Sequence, residues 1–433
     1  MINLKINSVL RYLSIILFIP HLAGAITLND ALNSSLSNNL EVKIEELNLS
    51  ASKENINQAI SSYFPSVSLS GSKSDSEVTN IKSQSGALSP DYDLSPSRAS
   101  VTISQNIFNG FGRYYALVKS KTDHKSQNLI FQNKKQEVIL AALESYYDVL
   151  LSSKTYLSFK DNFAAIEQRH NSAIAEFDAG LLSKTDVAQA KTRMSLAKIS
   201  MLNAEIILNN KKNIFYDIIG EDAIDLEFTN IRTINSYDQN KFFNGVQEGN
   251  FAIKLASLNV QSMSANAGIA RSAMLPQISM SASKNDYYEY SSTIDQFNNE
   301  TVSVTVSWPI FTSGKSLSKA RQAKKIKNRS YISQTKVHQD TLTQAKFIWG
   351  QHSISKNTVA AALVAVESSE FAYNGTVIEQ EVGERTLLDV LDARQQLLNA
   401  EIELFKEQRN EQIIVARMLY LMGDLEIEKL FNN

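Results

Sequence analysis

The chain switches between two hydrophobic periods. From about Leu28 to Ser62, apolar residues recur at three- and four-residue spacing, which predicts a helix. Pro65 ends that pattern, because proline lacks an N–H donor and biases the residue before it away from helical geometry. Beyond it the period becomes two, with Val67 and Leu69 separated by serines. This alternation predicts a β-strand.

Four such strands are predicted, at about residues 66–76, 98–108, 277–287 and 300–311. Their polar positions are mostly serine and threonine. Two structures are compatible with this pattern: a soluble sheet with one wet face, or a membrane barrel with lipid on its apolar side. The strand length of about 9–11 residues, the small hydroxyl side chains and the aromatic residues at one end favour the barrel.

Four strands are too few to close a barrel, since the smallest membrane barrels have about eight. An open sheet edge in lipid would leave backbone groups without hydrogen-bond partners, which is very costly. We therefore expect several chains to pool their strands, and three chains would supply twelve.

Two long stretches without proline, about Arg113 to Asp178 and Lys315 to Val382, predict helices of roughly 66 residues, or about 99 Å each. Gly180 and Gly383 follow them and suit the left-handed conformation of a helix end. Returning helices are predicted at about 185–219 and 387–421. A soluble coiled-coil scaffold is the alternative, but it does not explain the serine-alternating strands.

An internal repeat relates the two halves of the chain. The segment Asn39–Ile44 reappears as Asn250–Leu255, and the glycine at 180 reappears at 383. Two copies of one structural unit are therefore predicted. The predicted divisions are a signal peptide at 1–25, a first repeat at 26–220, an equatorial segment at 221–244, a second repeat at 245–423 and an equatorial tail at 424–433.

The N-terminal segment and the composition indicate an exported protein with long elements and no cysteine chemistry. Lys5 and Arg11 form a positive N-terminal region, Leu13 to Pro20 form a short apolar core, and Ala23–Ala25 is a cleavage site of small residues, the pattern of a secretory signal. Only 15 Gly and 6 Pro occur in 433 residues, which predicts few turns and long elements. The chain has no cysteine, so neither disulfides nor a lipid-modified cysteine are expected.

The sequence contains no recognisable catalytic, metal-binding or nucleic-acid-binding motif. The net charge is −2 without basic runs, so we expect no nucleic-acid partner. The five histidines lack metal-ligand spacing, and neither a phosphate-binding loop nor a nucleophile motif is present. We therefore expect no metal, no cofactor and no enzymatic activity.

The chain resembles the TolC family of outer-membrane efflux and type I secretion channels. The most specific segment is Val382–Ala393 (VGERTLLDVLDA), and its counterpart in the first half is Ala179–Val187 (AGLLSKTDV). The resemblance covers about Leu28 to Gly423. It implies a mainly α-helical homotrimer, with a long antiparallel helical barrel across the periplasm and a twelve-stranded β-barrel in the outer membrane.

The resemblance also implies a gate at the helical tip. Arg385 would link to the Thr185–Asp186 pair, while Gln380 stands where the family has a tyrosine link. Asp389 and Asp392 would face the lumen as acidic rings. The alternative is an ordinary pair between Arg385 and Asp389, four residues apart on one exposed helix.

Partners follow from the same resemblance. The turns Gly180–Leu181 and Gly383–Glu384 would contact a periplasmic adaptor protein, which connects the duct to an inner-membrane pump of the ABC, RND or MFS type. Exported small molecules or proteins would pass through the duct, and lipid of the outer membrane would surround the strands. A passive porin-like channel and a structural periplasmic coiled coil are the alternative functions.

Overall fold

A computed structural model describes residues 26–79, 86, 91–231, 238–291 and 293–431, so the predicted signal peptide at 1–25 lies outside them. The described chain is mainly helical, with a four-stranded sheet and a short hairpin. In chain order the elements are α1 (Leu28–Asn38), α2 (Leu40–Ser61), β1 (Ser66–Lys73), β2 (Ser76–Val78), β3 (Tyr92–Leu94), β4 (Ser97–Asn109), α3 (Gly112–Asp178), α4 (Lys184–Ile219), α5 (Gln239–Gly249), α6 (Phe251–Ser272), β5 (Gln277–Ser291), β6 (Ile294–Ser307), α7 (Lys315–Glu381), α8 (Leu387–Leu421) and α9 (Ile427–Phe431).

An asparagine interrupts the first helix of each half. Asn39 separates α1 from α2, and Asn250 separates α5 from α6. Each side-chain oxygen accepts hydrogen bonds from the backbone N–H groups two and three residues later, as at Glu41 and Val42. The periodicity alone predicts an unbroken helix from Leu28. The helix breaks because this cap offers the backbone an alternative to helical hydrogen bonds.

Two helices of 67 residues, α3 and α7, give the molecule its length of about 100 Å. α3 packs against α2 in its first part, where Lys134 pairs with Glu41 at 3.1 Å. Further along it packs against α4, where Asp148 pairs with Lys211 at 2.7 Å. None of the helices in the described ranges combines the length and the apolar character of a membrane-crossing segment.

The helices lie side by side in a fixed order. Near the sheet the contacts run α2–α3–α6–α7, and towards the other end they run α4–α3–α8–α7. One lateral edge of the chain is therefore formed by α2 and α4, and the opposite edge by α7.

The sheet has the antiparallel order β1–β4–β5–β6. Its last strand, β6, ends at Ser307, four residues before the predicted end at 311, and begins six residues earlier than predicted. Pro309 explains the early end, because it has no N–H to donate to a neighbouring strand. The hairpin of β2 and β3 was not predicted from the sequence and lies in the segment between β1 and β4.

The two faces of the sheet differ in chemistry. One row across the four strands consists of Val67, Ile103, Ala282 and Val302, and the valine and isoleucine side chains in it are exposed. The neighbouring row, on the opposite face, contains only hydroxyl side chains: Ser68, Thr102, Ser283 and Thr301. We call these the apolar face and the hydroxyl face of the sheet.

The largest hydrophobic core lies around the middle of α3. Tyr146 and Tyr147 are fully buried there, among side chains of α1, α4, α5 and α8. Their hydroxyls donate to the backbone carbonyls of Glu227 and Thr229 in the segment after α4. This core ties the irregular segment to the helices, and burial raises the pKa of both tyrosines.

Candidate functional site at the helical tip

Two tight turns close the helical hairpins α3–α4 and α7–α8. Gly180 has φ of 79° and Gly383 has φ of 85°, the left-handed region that favours glycine. In the first turn the N–H of Leu181 donates to the carbonyl of Glu176 at 2.8 Å, and the second turn forms the equivalent bond at 2.9 Å. A Cβ added to either glycine meets no atom within 4 Å. Backbone conformation, and not crowding, therefore requires glycine here.

A capping box begins each helix that returns from the tip. Asp186 accepts from the backbone N–H of Ser183 at 3.0 Å and from its hydroxyl at 2.7 Å. Asp389 accepts the same two bonds from Thr386 at 2.9 and 2.7 Å. These bonds lower the pKa of both aspartates, because they stabilise the charged form. Each aspartate is thus an ionised cap of its own helix.

Arg385 lies in the second turn and pairs within its own chain. Its Nε donates to Glu379 at 2.8 Å, and this bond raises the pKa of Arg385, with a smaller contribution from the charge of Asp389. Within the described part of the chain, the ion pair of Arg385 is with Glu379 and not with Asp186 or Asp389. The gate link from Arg385 to Thr185 and Asp186 stays a prediction.

A cleft of about 810 Å³ opens between the two turns. Arg385, Asp186 and Gln380 all line it, together with Leu181 and Gly383. The structure therefore brings three of the four predicted gate residues to one cavity. Thr185, the fourth, is exposed in the first turn of α4.

One ion pair across the tip was not predicted. Arg193 on α4 donates to Asp392 on α8 at 2.7 Å, and the two side chains are 42% and 50% exposed. This pair connects the first hairpin to the second within one chain. Asp392 was predicted only as a lumen-facing carboxylate. The spacing does contain a signal, because Arg193 lies seven residues after Asp186 and therefore on the same face of α4.

Apolar contacts reinforce the same junction. Ile166 on α3, Ala197 on α4 and Leu391 on α8 form a small buried cluster. In sequence, Ala197 is close to Arg193 and Leu391 is next to Asp392. In the described ranges, no group of three or more His, Asp or Glu side chains is arranged to hold a metal ion. Both an ion pair and apolar contacts therefore join the helices at the tip.

The comparisons with known proteins agree on one family. The family model described as outer membrane efflux protein matches residues 31–221 and again residues 244–424. The outer membrane efflux protein BepC of Brucella suis is 23% identical over 407 residues, covering 93% of this chain and 87% of BepC. Outer membrane protein TolC of Escherichia coli is also 23% identical, over 90% of this chain and 79% of TolC.

Solved structures agree in fold. The outer membrane protein VceC of Vibrio cholerae superposes with a TM-score of 0.78 at 15% identity, covering 92% of this chain and 97% of VceC. The outer-membrane channel OprN superposes with a TM-score of 0.79 at 16% identity, covering 92% of this chain and 90% of OprN. The helix-rich fold of a TolC-like channel is thus confirmed.

The matches cover both halves of the chain, including both turns of the tip. They confirm the predicted outer-membrane location and the prediction that the protein is not an enzyme. The chain belongs to the outer membrane efflux protein family, the family of TolC.

Proposed function

We propose that three copies of this chain form an export duct that crosses the outer membrane and the periplasm. In this proposal twelve strands close a barrel in the outer membrane, and the helices form a tunnel that ends at the tip. A periplasmic adaptor and an inner-membrane pump complete the pathway, and the pump supplies the energy.

The observation that carries the proposal is the pair of open edges on the sheet. In the described structure β1 pairs only with β4, and β6 pairs only with β5. The exposed apolar face suits lipid, in which unpaired backbone groups are very costly. If β6 of one copy pairs with β1 of the next, the same contact repeats around a ring, and no edge remains open.

The lateral helix edges support the same assembly. Large apolar side chains on the helices of both edges are exposed in the single chain. On the α2–α4 edge they include Leu40, Leu47, Ile199 and Ile206, and on α7 they include Ile332, Phe347, Val364 and Phe371. Their burial between neighbouring copies would stabilise the ring by about 25 cal/mol for each Å² of apolar surface removed from water.

The duplicated match to the family model supports a tandem origin of the two halves. Six hairpins from three chains would then surround the tip in alternation. In the closed state Arg385 would link to Thr185 and Asp186 of a neighbouring copy, and Gln380 would line the same cleft. Asp389 and Asp392 would form the acidic rings nearest the constriction.

The turns of the tip are proposed as the adaptor contact. Gly180, Leu181, Gly383 and Glu384 are all exposed, and Leu181 is 76% exposed. The family includes both an efflux protein and the alkaline protease secretion protein AprF of Pseudomonas aeruginosa. This breadth supports a shared duct whose cargo is selected by the pump.

Site-specific photo-crosslinking in cells tests the proposal. A photoreactive amino acid at Leu181 should capture a different protein, the adaptor. The same amino acid at Ile332, which is 72% exposed on α7, should capture a second copy of this chain. If Ile332 captures no second copy, the proposed ring is wrong. If Leu181 captures only its own chain, the proposed adaptor contact is wrong.

A further inference from the structure

On the hydroxyl face, the four rows that cross all four strands contain one charged side chain, Arg98, in the row furthest from the helices. The four rows there are Ser66–Ser104–Ser281–Ser303, Ser68–Thr102–Ser283–Thr301, Ser70–Ser100–Asn285–Asn299 and Ser72–Arg98–Tyr287–Phe297. Among these described positions only Arg98 is charged. We assign this face to the lumen of the proposed channel. A neutral, water-filled lining would not require an arginine among its hydroxyl groups.

Neighbouring side chains hold Arg98 in place. Its Nη2 donates to Asn285 Oδ1 at 2.6 Å, and the hydroxyl of Ser100 donates to the same oxygen at 2.7 Å. Asn285 and Ser100 are only 5% and 4% exposed. The guanidinium carbon lies 5.3 Å from the centre of the Tyr287 ring, which stacks on Phe297. The arginine is therefore preorganised by contacts on two sides.

The remaining donors of the guanidinium are available to a ligand. No carboxylate of the described residues forms an ion pair with Arg98, whereas Lys284 on the neighbouring strand pairs with Glu300 at 3.0 Å. A guanidinium has five N–H donors in a planar fork, which matches the oxygens of carboxylates, phosphates and sulfates. Among the described residues, Asn285 accepts from one of these donors, and the others are left to bind a ligand.

We propose that Arg98 is an oxyanion-binding site in the outer part of the channel and favours the passage of anionic solutes. The inference rests on the proposed trimeric channel, in which three copies of Arg98 form a ring around one axis. Loop carboxylates lie beyond this ring, including Glu77 and Asp93 on the β2–β3 hairpin. Because these carboxylates attract cations, the effect of Arg98 is measured as a difference between variants.

A matched pair of variants isolates the site. Arg98→Gln and Lys284→Gln each remove one positive charge from neighbouring strands. The first change is on the hydroxyl face and the second on the apolar face, where Lys284 follows Ala282. Reversal potentials are measured in planar bilayers under a KCl gradient near 0.1 M, where the screening length is about 10 Å. Native mass spectrometry confirms that each variant assembles like the parent.

Arg98→Gln should lower the ratio of chloride to potassium permeability by roughly twofold or more, and Lys284→Gln should change it much less. Inorganic phosphate added on the strand side should reduce the chloride current of the parent and of Lys284→Gln, but not that of Arg98→Gln. The shift should nearly vanish at 1 M salt, where the screening length is about 3 Å.

Equal shifts in both variants, or no shift in Arg98→Gln, would overturn the inference while leaving the channel function intact. Phosphate inhibition that persists in Arg98→Gln would also overturn it. A parent protein that conducts no ions would overturn the proposed channel function and the inference together.

Discussion

The ion pair between Arg193 and Asp392 gives the sharpest prediction about the tip. It connects α4 to α8 within one chain, so it holds the two hairpins of that chain together at the end where the duct would close. Replacing Arg193 by alanine removes the link and leaves Asp392 without its partner. We expect the closed tip to loosen and the resting conductance to rise.

The magnitude follows from the exposure of the pair. Because the side chains are 42% and 50% exposed, solvent screens them, and each pair contributes roughly 0.2–1 kcal/mol. If three copies open together, their pairs contribute about 0.6–3 kcal/mol to closure. The ratio of open to closed channels should then rise by roughly 3- to 150-fold, since about 1.4 kcal/mol corresponds to tenfold.

Single-channel recording in planar bilayers measures this ratio. The variants Arg193→Ala, Asp392→Ala and the double variant form a double-mutant cycle, which measures the interaction energy between the two residues. The double variant should open no more than either single variant. Binding of trivalent cations gives a second test of the ion pair. Arg193→Ala should bind them more tightly, because it frees three carboxylates near one axis, and Asp392→Ala should bind them more weakly. Additive opening in the double variant would refute the link, and parental conductance in both single variants would do the same.

Three further predictions concern the turns, the core and the assembly. Gly180→Trp or Gly383→Trp should leave the trimer intact, since each site is open to solvent and the positive φ costs roughly 1–2 kcal/mol. Dye export by these variants should nevertheless fail, because the bulky side chain stands in the proposed adaptor contact. Tyr147→Phe should reduce the fall of Tm above about pH 10. The pKa of Tyr147 is raised in the folded state, so this tyrosine contributes stability below about pH 10, and that contribution is lost as the pH rises. Phe371→Glu, at a position 83% exposed on the α7 edge, should reduce the trimer fraction in native mass spectrometry.

Each of these predictions has a conservative control. Gly180→Asn should export normally, because asparagine tolerates the left-handed conformation. Tyr331→Phe, at an exposed position on α7, is the control for the loss of a tyrosine hydroxyl outside the core. Phe371→Leu should keep the trimer, because it preserves an apolar side chain. Normal export by both tryptophan variants, an unchanged alkaline profile for Tyr147→Phe, or a full trimer for Phe371→Glu would contradict the respective prediction.

The sequence predicted the long elements well because their signals are local. Helices α7 and α8 lie within one residue of their predicted limits, since proline-free periodic stretches and glycine ends define them. The capping boxes of Ser183 and Thr386 were not predicted, although their signal is equally local, since each has an aspartate three residues after a hydroxyl side chain. Such features need no knowledge of distant residues.

Other features depend on which segments meet in space. The pairing of Arg193 with Asp392 joins residues 199 positions apart; the spacing from Asp186 places Arg193 on the face of the tip residues, but it does not identify Asp392 as the partner. The contact of Arg98 with Asn285 likewise depends on the register of β4 against β5. The break at Asn39 was missed for a different reason: hydrophobic periodicity continues through it, while the side chain of one residue caps the next helix.

The number of chains in the membrane-extracted protein tests the central claim most directly. Native mass spectrometry of the mature protein in a mild detergent should show an assembly of three chains, because the open edges of β1 and β6 would find partners in other copies under the proposal. The trimer should persist on dilution, since in the proposed ring each copy would bury both an α2–α4 edge and an α7 edge. A predominant single chain would contradict the shared barrel, and with it the proposed duct.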